Sequence, residues 1–320
     1  MNCTNHENTL CTLFCPHHDS FFCTACRDSK HGSCPDIKQV NSEKFYEKRK
    51  LDIKDKPESY NMKIRNIFGK NDNDQNDCYI IGISMLPNSE ILLADNRNKK
   101  LKKLNKKFKI VSCCKLPNRP FSVCYIGNNL SIIALHGNVI QYVKVSGEIE
   151  LRNEVPLSHE CFGLACHGDT LYVASKSTIY TYDKRCDKKR ILYQHGGRDQ
   201  FYKYPIAISD NGERLYICTD KALTTIDSNG NHISTYQLDG LYDPDVCVAN
   251  NGIVLLLGGR DNDKVYQLDY NGKNESETVR NFSDYSRSLM SLAFDRERCR
   301  LIFGDYTNYL HVYKCELLPC

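Results

Sequence analysis

The chain is expected to be mainly β: a small metal-held module followed by a six-bladed β-propeller. Three observations predict this. The first 40 residues concentrate cysteine and histidine in pairs, residues 41–61 are charged and poor in large apolar side chains, and from Cys78 onward apolar strands and polar turns recur with one period.

Cys3/His6, Cys15/His18, Cys23/Cys26 and His31/Cys34 are each separated by two residues. That spacing lets both side chains of a pair turn onto one ion from a tight loop. A tetrahedral zinc site takes two such pairs, so the donors read as two zinc ions. His18 rather than His17 keeps the spacing, and Cys11 is spare. A disulfide framework would account for the cysteines but not for histidines at pair positions. Leu10, Leu13, Phe14, Phe21 and Phe22 are too small an apolar supply to fold residues 1–40 unaided, so metal has to contribute much of the folding free energy. Every coordination position is filled, which points to structural rather than catalytic zinc.

The order C-x2-H-x8-C-x2-H-x4-C-x2-C-x4-H-x2-C resembles the B-box zinc finger of tripartite-motif proteins. The resemblance implies interleaved sites, with Cys3, His6, Cys23 and Cys26 on one ion and Cys15, His18, His31 and Cys34 on the other. Cys34 stands where the family usually has His. Self-association of the module is left open by the resemblance. A RING finger before the B-box and a long coiled coil after it, both usual in that family, are expected to be missing. Residues 41–61 have six basic and five acidic side chains and no room for the heptads a coiled coil needs. Asn41 or Ser42 could cap a short helix from Glu43 towards Asp52, and Pro57 would end it.

The period decides the fold of residues 62–320. First strands read Gly82-Ile-Ser, Ser122-Val-Cys, Gly163-Leu-Ala, Ile206-Ala-Ile, Val246-Cys-Val and Ser291-Leu-Ala. Third strands begin at Leu101, Ile140, Ile179, Leu223, Val265 and Leu310, spaced 39, 39, 44, 42 and 45 residues apart. Units of about this length with four short strands are propeller blades. Asp227-Ser-Asn-Gly230 and Asp269-Tyr-Asn-Gly272 supply the positive-φ residues that hairpins need. The sixth unit ends too early to hold its own outer strand, so Met62 to Phe68 is expected to close the ring and remove an exposed sheet edge. Leu92-Leu-Ala-Asp95-Asn-Arg-Asn98 and Gly304-Asp305-Tyr-Thr-Asn308 make the repeats resemble NHL repeats, and the absence of tryptophan argues against a WD-repeat propeller.

The net charge of +4 does not by itself predict nucleic-acid binding. No apolar run approaches the length of a membrane span, and no amino-terminal targeting segment is visible, so a cytoplasmic protein that does not engage membranes is expected. Cysteines in apolar runs, such as Cys124 and Cys218, read as reduced core residues.

Arg97 to Lys109 holds eight basic residues among thirteen and no acid. Arg97, Lys99, Lys100, Lys102, Lys103, Lys106 and Lys107 are the candidate phosphate contacts for RNA. The competing reading is a solvated hairpin whose Leu101, Leu104 and Phe108 point inward. Catalysis has little to rest on. Inner strands offer Ser, Ala, Cys and Ile, Asp245 is their lone acid, and one carboxylate does not make a calcium cage. No Gly-x-Ser-x-Gly elbow marks a nucleophile. The expected function is therefore a zinc-binding, non-catalytic adaptor that docks a protein partner on one propeller face. The family resemblance implies a part in ubiquitin ligation as the alternative, and RNA regulation is a second one.

Overall fold

The computed structural model describes residues 13–15, 20–22, 26–27, 38–39, 50–54, 57–63, 73–194, 204–219, 222–237, 243–258, 264–273, 275–281 and 289–318. Six antiparallel sheets form a ring. Blade one comprises Ile80–Met85, Ile91–Asp95, Lys100–Leu104 and Ile110–Lys115, and blade two Pro120–Gly127, Leu130–Leu135, Val139–Lys144 and Glu150–Pro156. Blade three comprises Gly163–His167, Thr170–Ala174, Thr178–Asp183 and Lys188–Gln194, and blade four Ile206–Ile208, Arg214–Cys218, Ala222–Asp227 and His232–Gln237. Blade five holds Asp245–Val248, Val254–Leu257, Lys264–Leu268 and Glu275–Asn281. Blade six holds Ser291–Asp295, Arg300–Gly304 and Tyr309–Leu318. Each third strand begins one residue before the position read from the repeat.

Alternation explains the ring. Side chains of the middle strands point to both sheet faces, so they read as nearly continuous apolar runs, and each face packs on the next blade. Ile81, Leu92 and Leu101 of blade one meet Val123, Ile133 and Val143 of blade two. The last interface joins Ile302, Leu310 and Val312 to Ile80, Ile91 and Leu93, so blade six packs on blade one and the ring closes. Gly304 lies at this seam. A Cβ there would stand 2.6 Å from Ile80 Cβ and 2.7 Å from Ser291 Oγ. The turns follow their chemistry as well. Asp227 Oδ1 accepts the amides of Asn229 and Asn231, and Gly230 has φ +88°. Asp269 does the same for Asn271 and Lys273, with Gly272 at φ +65°.

The closing strand differs from the one expected. Lys50–Ile53 pairs with Cys315–Leu318 and Glu58–Asn61 pairs with Tyr309–Val312, so two short strands in tandem line one ten-residue strand. Met62 and Lys63 follow them outside any strand, and residues 64–68 lie outside the described residues. The reason is packing. Met62 is wanted in the core between blades six and one, where it is 1% exposed. Pro57, which has no amide hydrogen, stands between the two strands. The helix drawn from Glu43 towards Asp52 is replaced at Lys50–Ile53 by strand, and its earlier part lies outside the described residues. Gln267 of blade five fixes the new strand. Its Oε1 accepts Leu51 N at 2.9 Å, and its Nε2 donates to Leu51 O at 2.6 Å.

Nearer the amino terminus, Leu13–Cys15 pairs with both Ser20–Phe22 and Lys38–Gln39 in a three-stranded sheet.

Candidate functional site: one face of the propeller

Of the expected zinc ligands, Cys26 is buried and Cys15 ends a strand. Cys3, His6, His18, Cys23, His31 and Cys34 lie outside the described residues.

The basic run is placed differently from a phosphate-binding patch. Lys100, Lys102 and Lys103 are buried. Lys102 Nζ donates to Asp74 Oδ2 at 2.7 Å, Asp95 Oδ2 at 2.8 Å, Met62 O at 3.0 Å and Cys78 Sγ at 3.1 Å. Lys100 Nζ reaches Asp74 Oδ1 at 2.9 Å, and Lys103 Nζ reaches Glu90 at 3.0 Å. These three ammonium groups are therefore neutralised inside the protein and withdrawn from any ligand. Only this internal pairing makes a buried lysine tolerable. Burial alone would lower the Lys102 pKa, but the carboxylates of Asp95 and Asp74 outweigh it and the net direction is up. Burial pushes the Cys78 thiol up, so it stays neutral. Asp74, Cys78 and Asp95 lie close enough together to suggest a metal cage, yet the Lys102 ammonium already bonds to all three. Lys106 and Lys107 are exposed at the turn between the third and fourth strands of blade one, at the opposite end of the blade from Arg97. Lys99 is half-buried, with φ +50°.

Arg97 remains, and it faces a different setting. The turns between second and third strands and the connections entering each inner strand gather at one end of the ring. There they shape a cavity of about 910 Å³ lined by Tyr79, Arg97, Arg119, His136, Asp243 and Tyr306, among others. The Arg97 guanidinium carbon lies 5.8 Å from the Tyr79 ring centre and 5.4 Å from that of Tyr306, and the two rings are 4.5 Å apart. Cation–π contact of this kind holds a guanidinium in place without neutralising it. Arg119 and His136 are exposed, and the His136 amide donates to the Arg119 carbonyl at 2.9 Å. The floor is firmer: Asn96, buried, donates to Pro120 O at 2.7 Å. Sequence reading missed Tyr79, Arg119, His136, Asp243 and Tyr306. The signal was available, since all five fall one or two residues before an inner strand or in the second-to-third turn, the same two places in each repeat.

Two other constellations are spoken for. Inner strands surround a channel of about 290 Å³, and the carboxylate of Asp245 on its wall accepts the amides of Val246 and Leu292, both at 2.9 Å. Ser59 Oγ shares a hydrogen bond with His311 Nδ1 at 2.9 Å, and His311 Nε2 contacts Asp305 Oδ2 at 3.0 Å. This relay lines neither cavity. Ser59 stands directly across from His311 in the closing strand pair, and Asp305 also accepts the Thr307 and Tyr309 amides, so the relay ties the outer strand to the turn behind it.

No family model matches the chain, and no curated protein matches it. Among solved structures it is similar to a virginiamycin B lyase from Staphylococcus aureus, with a TM-score of 0.56 and 12% identity over 83% of this chain and 99% of that one. Identity so low carries the fold alone, and the fold that it supports is the six-bladed β-propeller.

Proposed function

We propose that this protein is a non-catalytic scaffold that docks a protein partner on the Tyr79–Arg97–Tyr306 face of its propeller. The observation that carries the reading is the cavity of about 910 Å³, to which blades one, two, five and six all contribute. Loops fixed on a closed ring make a preorganised concave surface, and recognition concentrates in such places. The Asp245 carboxylate and the Ser59–His311–Asp305 relay are both engaged in holding strands together, which supports a binding role over chemistry.

In this reading the amino-terminal segment is a B-box-like zinc finger, because its thiols and imidazoles are the donors that zinc prefers, and the propeller is NHL-like. Ubiquitin ligation would then require a second chain to recruit the conjugating enzyme. Cross-linking mass spectrometry on the full chain in cell lysate tests the docking reading. Cross-links placed on residues around Arg97 and Arg119 are the expected result, and partners mapped to the outer strands instead would overturn it. Labelling of Ser59 by a serine-directed fluorophosphonate, or ubiquitin-chain formation by this polypeptide with only the activating and conjugating enzymes, would overturn the non-catalytic part.

A further inference from the structure

The buried lysines of blade one are matched with carboxylates: Lys102 with Asp74 and Asp95, Lys100 with Asp74, Lys103 with Glu90. Arg97 and Arg119 are treated otherwise. Neither guanidinium is ion-paired or hydrogen-bonded among the described residues. Asp77, the acid close enough to feel the Arg97 charge, is already held by Lys63 at 2.7 Å and Asn308 at 2.9 Å.

Unpaired surface arginines are common, but these two open onto one cavity with four aromatic rings, those of Tyr79, Phe121, His136 and Tyr306. The contact of Arg97 with both rings of the Tyr79–Tyr306 pair removes rotamer freedom that a ligand would otherwise have to suppress. A guanidinium fixed in this way presents a planar fork that suits a carboxylate or phosphate. Asp243 shares the same cavity and sets a negative pole in it. A continuous polyanion would bring phosphates against that carboxylate, whereas a peptide can set an anionic side chain and a basic one side by side.

We propose that this cavity binds a peptide segment of the partner, with an anionic side chain, phosphorylated or carboxylate, on Arg97 and Arg119 and a basic neighbour facing Asp243. The inference rests on the partner-docking reading of the face and names the chemistry that reading leaves open. RNA is the competing polyanion.

The test is fluorescence anisotropy on the full chain. The labelled peptides share one sequence with a central phosphotyrosine, phosphoserine, glutamate or lysine beside an arginine, and a short single-stranded RNA is the comparison. An anionic peptide should bind at least about tenfold more tightly than its lysine counterpart, and the ratio of phosphorylated to glutamate affinity identifies the source of the charge. Arg97→Ala and Arg119→Ala should each weaken binding about tenfold. Arg97→Lys, which keeps the charge but loses the fork, should fall between. Lys106→Ala and Lys107→Ala, at the opposite end of the blade, should bind as wild type. RNA binding more tightly than every peptide, equal affinity for all peptides, or arginine variants that bind normally would each overturn the proposal. Cross-links that keep a partner on this face when both arginines are alanine would overturn the charge chemistry while leaving the docking reading intact. Loss of every cross-link on this face in the wild type would remove both.

Discussion

Replacing Lys102 by methionine keeps most of the stem and deletes the ammonium that bonds to Asp74, Asp95, Cys78 and the Met62 carbonyl. Both carboxylates have side chains 0% exposed, and Lys100 can still serve one oxygen of Asp74 at 2.9 Å. Asp95 would be left as a buried, uncompensated charge. Breaking a buried pair from one side typically costs about 3–5 kcal/mol. With a urea m-value of about 2–3 kcal/mol/M, the unfolding midpoint at pH 7 should fall by about 1–2.5 M. The pH dependence separates this mechanism from simple loss of packing. In the variant Asp74 keeps Lys100, whereas Asp95 keeps only the neutral donors of Tyr79 and Asn98. Burial of Asp95 then favours proton uptake, so the folded state binds more protons than the unfolded one and stability rises as pH falls. In the wild type the lysine pKa is raised, so its contribution is complete at neutral pH and is lost only as pH climbs above the ordinary lysine value through the folded one. The deficit of the variant should therefore shrink between pH 7 and pH 4.5. An unchanged midpoint at pH 7, or the same deficit at both pH values, would refute the reasoning.

Other consequences are open to measurement. Gly304→Ala places a methyl 2.6 Å from the Cβ of Ile80 at the closing seam and should cost about 1–3 kcal/mol in denaturant melts, a loss that Ile80→Ala should not recover because alanine keeps that Cβ. Gln267→Leu leaves the buried N–H and C=O of Leu51 unpaired, at about 1–3 kcal/mol for each group, and native-state hydrogen exchange should lose protection first at Leu51. Metal analysis should find about two zinc equivalents per chain, falling to about one in Cys23→Ser/Cys26→Ser. Chelation should abolish the amino-terminal module while leaving the β circular-dichroism signal of the propeller, whose apolar interfaces use no metal.

The frame of the propeller was legible because blade packing makes every middle strand apolar on both sides, and a period of such strands survives even when individual motifs decay. The six third strands, each displaced by one residue, show how tightly that period constrains register. What escaped depends on distant neighbours. Lys102 looks like a surface residue because nothing local reveals Asp74, 28 residues earlier, as its partner. The alternating pattern of Met62–Phe68 was read as a strand, yet Leu51 and Ile53 alternate as well, and only the position of Gln267 settles which segment is clasped. Tyr79, Arg97 and Tyr306 meet only because the ring closes and brings blade six beside blade one.

Closure by the two ends of the chain also orders events in time. Glu58–Asn61 leaves the ribosome about 250 residues before the strand that receives it. At about 5–20 residues per second, it waits roughly 12–50 s with its ladder groups unsatisfied. An edge exposed for that long invites pairing with other nascent chains, and the charges of Glu58 on it and of Asp52 and Lys54 on and beside the preceding strand are of the kind that keeps such edges single until their own mate is synthesised.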